Sequence, residues 1–312
     1  MQRLYLMDMM FFIFRAFYAM PARHSPCGAP INALYGVLAL FRDLWQLEQY
    51  RHVAAVFECP GPSFRKELDP EYKANRKPAP TELLSQVAMV RVACECLGIR
   101  TIHADGYEAD DLIGTLAKEA TESGMSVTIV SNDKDLAQVL AFSPLIELLR
   151  TGNGGRPERI SADEVKQMYG VPPELIASWL ALMGDASDNI KGVKGVGKKT
   201  ATKLLNEHGD LHTFLKEPEK AGRFASAFVE GKERVLLDLQ LATICTDVDL
   251  GPEGFVSEYY ALREIDGAHE FFESLGMKDY VLQLQALGSQ AATVEHFWSR
   301  SRNRYRSYSA DS

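Results

Sequence analysis

Along the first half of the chain, short apolar runs alternate with longer segments in which apolar residues recur every three or four positions. The runs at 3–8, 52–57, 100–103 and 125–130 have the length and aliphatic character of buried strands. Between them, residues 33–48 carry Leu34, Val37, Leu38, Phe41 and Leu44 at helical spacing. Residues 81–97 carry Leu84 and Val87 behind Thr81, and 111–122 carry Leu112, Leu116 and Ala120. This alternation predicts an α/β fold: a doubly wound, mainly parallel sheet with helices on both faces. An edge strand is expected at 146–149 and a turn-rich loop at 152–157.

Beyond that loop every periodic segment reads as helix. Ser161-Ala162-Asp163-Glu164 forms a capping box at the start of a helix running to Tyr169, and 172–183 is a second helix. Segments 210–215, 224–250 and 261–287 are expected to be helical and to complete a second lobe. The organisation anticipated is a core over 1–180, a helical lobe over 181–288 and a disordered basic tail over 289–312. The tail carries Arg300, Arg302, Arg304 and Arg306 and would add weak, salt-sensitive affinity for nucleic acid.

Acids recur where strands end. Asp8 closes the first run and Glu58 follows the second. Tyr107-Glu108-Ala109-Asp110-Asp111 follows the third, Asp133 and Asp135 follow the fourth, and Asp185 and Asp188 lie in Gly184-Asp185-Ala186-Ser187-Asp188-Asn189. Each acid alone has an ordinary use, because carboxylates in a first helical turn cap free N–H groups and offset the helix dipole. Their repetition points to the carboxyl edge of the sheet, where ligands of open α/β sheets bind. Carboxylates ~4 Å apart at an effective dielectric near 20 repel by about 4 kcal/mol per pair, so a converged set would need cations.

Composition narrows the partners. Hydrophobic residues make up 46% and charged residues 24%, as in ordinary globular chains, and the formal charge of -8 argues against a generally basic nucleic-acid binder while leaving room for a local basic face. Cys27, Cys59, Cys94, Cys96 and Cys245 include no C-x-x-C pair and no histidine at co-ligand spacing. Neither a disulfide frame nor a zinc site is suggested, and a reducing cytoplasm is expected. Asp8 and Arg15 interrupt the apolar N-terminus and no basic region precedes it, so neither a signal peptide nor a membrane helix is expected.

Two local basic stretches stand out. Residues 60–80 hold Pro60, Pro62, Pro70, Pro78 and Pro80 around Phe64, Arg65, Lys66, Tyr72, Lys73, Arg76 and Lys77. Cations interleaved with aromatics suit a single strand, although a solvated connection would have the same composition. Residues 190–201 combine Gly192, Gly195 and Gly197 with Lys191, Lys194, Lys198 and Lys199 ahead of a helix from Thr200, which fits a phosphate backbone approaching a helix start. Gly192, Gly197 and Lys198 also match a nucleotide-binding P-loop. Lys199 stands where Ser or Thr should bind magnesium, however, and no strand precedes the motif.

Taken in order, Asp8, Ser63-Phe64-Arg65, Tyr72-Lys73-Ala74-Asn75-Arg76, Tyr107 to Asp111, Asn132 to Leu136, Gly184 to Asn189 and Gly192 to Gly197 resemble the 5′ nuclease (flap endonuclease) family. They are most like its 5′ to 3′ exonuclease module from bacterial DNA polymerase I. The resemblance covers about 4–287. It implies a PIN-like core, a helical arch at about 60–80 and a helix-hairpin-helix lobe. It also implies Mg²⁺ at two sites, with Mn²⁺ able to substitute: Asp8, Glu58, Glu108, Asp110 and Asp111 around one ion, and Asp133, Asp135, Asp185 and Asp188 around the second. Asp8, Arg15, Lys73, Arg76 and Asp110 would be catalytic, with Arg65, Tyr72, Lys73 and Arg76 on the 5′ strand and Tyr72 stacking on a base. Lys191, Gly192, Lys194, Gly195, Gly197, Lys198, Lys199 and Thr200 would bind the duplex, with K⁺ at the hairpin.

The implied activity is two-metal hydrolysis of DNA bearing 5′ flaps, nicks or RNA primers, by a free-standing, monomeric, nucleoid-associated cytoplasmic enzyme. Two positions depart from the family: Glu58 where Asp is usual, and Met9 where Gly is usual. Glu58 would retain metal binding with altered geometry, and Met9 would put a side chain where close approach was possible. The alternative they open is a branched-DNA-binding protein with weakened chemistry.

Overall fold

Five of the apolar runs pair side by side as parallel strands: β1 (Arg3–Asp8), β2 (His52–Val56), β3 (Arg100–Ile102), β4 (Ser126–Val130) and β5 (Ile146–Thr151). A sixth, β6 (Pro157–Ile160), runs antiparallel to β5 at the edge and was not expected. Only Ile160 of its four residues is buried, so it carries no apolar run to read. The order β3-β2-β1-β4-β5-β6 bears out the doubly wound reading. This computed structural model describes residues 2–151, 157–251 and 255–287; the basic tail and most of the 152–157 loop lie outside the described residues.

β1 is central because both of its faces are covered. Leu4 and Leu6 pack with Val127, Ile129 and the helix Ala109–Glu122, whereas Tyr5 and Met7 pack with Val53, Ala55 and the helices Met9–Ala19, Asn32–Glu48 and Thr81–Cys96. Alternate residues of one strand therefore feed two separate apolar layers, as in a parallel sheet buried on both sides. β2 lies on one side of β1 and β4 on the other, so the winding reverses between β1 and β4. That reversal opens a crevice at the carboxyl ends of the two strands.

Two expectations for the second half need correction. Residues 224–250 are not one helix. Helices Ala225–Glu230 and Lys232–Ala242 are followed by an extended stretch that crosses the helix Ala109–Glu122. It comes so close that a Cβ on Gly114 would lie 2.7 Å from Ile244 Cγ2. Nor do residues 261–287 complete the second lobe. Helices Ala268–Ser274 and Lys278–Leu287 return to the core, burying Phe272 and Tyr280 with Tyr35 and Phe41 on the sheet face opposite that lobe. No helix among the described residues is long and apolar enough to cross a membrane.

Candidate active site

Asp8 is the last residue of β1 and also caps the helix that follows, accepting the N–H of Phe11 on Oδ1 (3.3 Å). Its other oxygen accepts from Ser131 Oγ at 2.7 Å, and Ser131 follows β4 directly. The two strands that flank the crevice are thus joined at one carboxylate. Met9 is buried and belongs to the apolar layer of Met7, Phe12 and Ile13, so its side chain faces the core and not the crevice.

The segment 60–80 lies directly on the acids. Its prolines leave one short helix, Phe64–Leu68, followed by turns. Lys73 donates its backbone N–H to the carbonyl of Asp188 (2.9 Å), Asn75 reaches Ala186 O (2.6 Å) and Arg76 reaches Ser187 O (3.1 Å). Lys73 is held with left-handed backbone, φ 53°, a strained conformation fixed by these contacts. Its Nζ lies 2.9 Å from Glu108 and 3.8 Å from Asp188, and Arg76 sits 2.5 Å from Asp188. A cleft of about 440 Å³ opens beside them, lined by Glu58, Ser63, Lys66, Tyr72, Lys73 and Glu108 among others.

Tyr72 does not offer a ring for stacking. It is 3% exposed, and its hydroxyl donates between Glu108 (3.1 Å) and Asp188 (3.0 Å), whose charges together with burial keep it protonated. Arg65, expected on the 5′ strand, is also buried. Its guanidinium is taken up by Asp111 (2.7 Å to each oxygen) and by the carbonyls of Leu241 (2.9 Å) and Thr243 (2.8 Å). Asp111 also accepts from Cys245 N and from Glu108 N, so this fully buried carboxylate has its oxygens occupied, and Arg65 also reaches the Glu108 carboxylate at 3.5 Å. Arg15 lies on the β5 side, donating to Thr151 Oγ1 at 2.5 Å.

The remaining acids divide by whether the protein itself supplies a cation. Glu108 has Lys73, Asp185 has Lys134 (2.5 Å) and Asp188 has Arg76. Burial alone would raise Glu108 and Asp185, but these lysines, with Arg65 and Ser63 at Glu108 and Ser187 at Asp185, hold both below the usual carboxylate range. Asp8, Glu58, Asp110, Asp133 and Asp135 have no such partner among the described residues.

The consequence is visible in the acidities of Asp8, Glu58, Asp110 and Asp135. Burial, with Asp133 and Glu58 nearby, pushes Asp8 up to about 6 despite the bonds from Ser131 and Phe11. Burial and Asp133 push Asp135 up to about 8. Asp110 is raised well above its ordinary value by burial, Asp133 and Asp8. Glu58, at the exposed rim, is raised by the crowding of the cleft walls and by Glu108, with Lys73 opposing.

Asp135 Oδ1 is buried with no hydrogen-bond partner. An orphaned carboxylate oxygen beside unpaired carboxylates is a donor set suited to hard divalent cations, which take oxygen ligands. Among the described residues no three of these acids close around one point as metal ligands would; lysine and arginine side chains stand among them instead.

The hairpin continues directly from the loop that carries Asp185 and Asp188. Helices Ile176–Met183 and Lys198–His208 are joined through a loop closed by paired bonds between Asp185 and Ile190. Gly192 (φ +67°) lets the loop come against the first helix, where a Cβ would lie 2.4 Å from Gly184 N. Lys191, Lys194, Gly195, Gly197, Lys198 and Lys199 are exposed, with Thr200 half-buried behind them.

Several residues of the site escaped the sequence reading. Lys134 sits inside the motif Asn132 to Leu136 and Ser131 directly precedes it, so both could have been read as partners for its acids. Asp238 is fully buried and accepts from Gly192 N (2.9 Å); a lone acid in the apolar run Val235 to Leu239 was its signal.

The chain matches two family models in succession. Residues 3–170 match the model of the 5′-3′ exonuclease N-terminal resolvase-like domain, and 171–264 match that of the 5′-3′ exonuclease C-terminal SAM fold. DNA polymerase I of Pseudomonas aeruginosa is 41% identical over 80% of this chain and 28% of its own length. The 5′-3′ exonuclease of Aquifex aeolicus is 34% identical over 80% of this chain and 84% of its own. The chain spans 28%, 35% and 33% of the length of the first three polymerases it matches. Among solved structures, the bacteriophage T5 5′-exonuclease with bound zinc superposes with a TM-score of 0.66 at 20% identity, covering 78% of this chain and 90% of that one. The T5 flap endonuclease in complex with DNA and metal ions also gives 0.66, at 18% identity, covering 96% and 97%.

Proposed function

The chain belongs to the 5′-3′ exonuclease family, and on that premise we propose that it is a Mg²⁺-dependent, structure-specific 5′ nuclease. Its substrates would be DNA with 5′ flaps, nicks or RNA primers. The observation that carries the reading is the uncompensated charge of Asp8, Glu58, Asp110, Asp133 and Asp135 at the strand switch point. Among them an oxygen of Asp135 is buried without a partner, a cost that a bound cation would relieve. These residues would hold the ions, Asp185 and Asp188 joining them when Lys134 and Arg76 give way. Mn²⁺ is the expected substitute, since the donors are all oxygen. Bound divalent ions supply Lewis-acid stabilisation of phosphoryl oxygens and a more acidic water.

The chain's own side chains have separate work. Lys73 stays charged because Glu108 and Asp188 outweigh its burial, and with Arg76 it would meet the non-bridging oxygens of the scissile phosphate. Tyr72 would orient Glu108 and Asp188 through its shared hydroxyl, and Arg15 would contact the strand beyond. Hairpin lysines 191, 194, 198 and 199, with the amides at the start of the helix Lys198–His208, would hold the duplex backbone, and K⁺ at the hairpin belongs to the same reading. The polymerases and T5 enzymes it resembles support DNA as the partner. A monomer in the cytoplasm is proposed with it.

Cleavage of a 5′-labelled flap in Mg²⁺, abolished by chelation, tests the proposal. Asp110→Asn should cut at least about a hundredfold more slowly while still binding the flap in Ca²⁺; full activity in that variant would remove Asp110 from the site. The weakened-binder alternative keeps only Glu58 as support, since Met9 faces the core. Tight flap binding with no cleavage in Mg²⁺ or Mn²⁺ would favour it.

A further inference from the structure

Arg234, on the helix Lys232–Ala242, forks between two buried acids. Its NH2 donates to Asp238 Oδ1 at 2.5 Å and its NH1 to Asp69 Oδ2 at 2.6 Å. Asp238 is fully buried, and its other oxygen accepts the backbone N–H of Gly192 in the hairpin (2.9 Å). Asp69 is 7% exposed. Its other oxygen accepts the N–H of Glu71 (2.9 Å) and its carbonyl accepts the N–H of Tyr72 (3.0 Å), which fixes the turn that presents Lys73. One guanidinium thus connects the hairpin amide to the turn carrying the cleft's lysine, through oxygens that have no other ligand to serve. Asn75 and Arg76 also meet the loop 186–188, and Asn189 donates to the carbonyl of Glu71 (2.6 Å), but those contacts come from the loop that carries the acids, whereas Arg234 reaches the hairpin itself at Gly192 through Asp238.

We propose that Arg234 is a positioning residue that couples the hairpin's grip on duplex DNA to the placement of Lys73 and Arg76. The inference rests on the nuclease reading and deepens it. A planar guanidinium that gives one donor to each of two carboxylates holds them at a fixed spacing, which the point charge of a lysine would not. When duplex draws on the Gly192 loop, Asp238 and Arg234 carry the displacement to Asp69. The turn at 69–73 then settles against the acids. A single strand too short to reach the hairpin would gain nothing from this link.

The test compares kcat on a flap with a long duplex and on the same 5′-labelled strand alone, in Mg²⁺, for the wild-type chain, Arg234→Gln, Asp69→Asn and the double variant. Each single variant should lower the flap-to-single-strand ratio by about five- to tenfold, and the double variant no further, because both cut one link. Asp69→Asn, which leaves the Asp238 contact intact, should bind duplex with an unchanged Kd. Equal slowing on both substrates, an unmoved ratio, or effects that multiply in the double variant would each overturn the coupling. If the wild-type chain cuts neither substrate, the nuclease reading falls and takes the coupling with it. If it cuts both and the ratio holds, only the coupling falls.

Discussion

Arg65 and Asp111 lie side by side in a two-pronged ion pair, 2.7 Å at each prong, with the carboxylate wholly buried and the guanidinium nearly so. The pair fastens three parts of the chain: the start of segment 60–80, the helix Ala109–Glu122 and the extended stretch after Ala242. Removing one partner strands a buried charge, so Asp111→Asn should lower the unfolding free energy by about 3–5 kcal/mol. Pairing Arg65→Met with Asp111→Leu should recover part of that loss. Urea unfolding of the wild-type chain and the two variants measures both effects.

Acids with raised and lowered acidity pull stability in opposite directions with pH. The folded protein binds protons on Asp8, Asp110 and Asp135 more readily than the unfolded chain does, so these groups oppose folding above their folded values, about 6 for Asp8 and about 8 for Asp135. Their opposition fades as pH falls towards the ordinary carboxylate range. Glu108 and Asp185 contribute stability above that range and lose it as pH falls through their lowered values. In chelator, the protein should therefore melt higher near pH ~6 than near pH ~9, and Asp135→Asn should raise Tm at the alkaline end by about 2–4 °C. Mg²⁺ should flatten the profile, and calorimetry across pH measures it.

Lys73 is the nearer of the two cations beside Glu108, at 2.9 Å against 3.5 Å for Arg65. Lys73→Ala should reduce kcat on a flap by about a hundredfold. Without that charge the Glu108 carboxyl rises, so the acid limb of the kcat–pH profile should move to higher pH. Lys73→Arg should restore the limb more fully than the rate. Steady-state kinetics over pH separates the two.

Two hairpin glycines should behave differently. Gly192→Ala meets both a left-handed backbone and Gly184 N at 2.4 Å, a strain of about 1–3 kcal/mol that should weaken duplex affinity about tenfold. A Cβ at Gly197 meets nothing within 4 Å, so Gly197→Ala should bind duplex as the parent does. Fluorescence anisotropy with a labelled duplex distinguishes them, and their Tm values report any loss of fold.

Strands and their terminal acids were legible because a buried parallel strand must be apolar throughout and because the acids repeat at its end. β6 was not, since an edge strand needs no apolar face. The roles of Arg65 and Tyr72 were misread for a related reason: cations and aromatics in a proline-rich segment look solvent-facing, and nothing local says that Asp111 and Asp188, far along the chain, will bury them. Asp111 and Asp110 are neighbours with opposite fates. Helical rotation turns one towards Arg65 and leaves the other at the crevice, a difference that composition cannot carry. The hairpin was legible from glycine and lysine spacing, but its anchor Asp238 was visible only as an acid out of place.

The helices Ala268–Ser274 and Lys278–Leu287 underlie the sheet like a keel. They follow the segment matched by the second family module, yet Phe272 and Tyr280 fill the layer beneath β1 and β2. A chain cut after residue 264 would contain both modules in full and still lose the ring of Tyr280 that packs edge-on against Tyr35. The apolar layer on one side of the strand that ends in Asp8 is thus completed by residues outside either module.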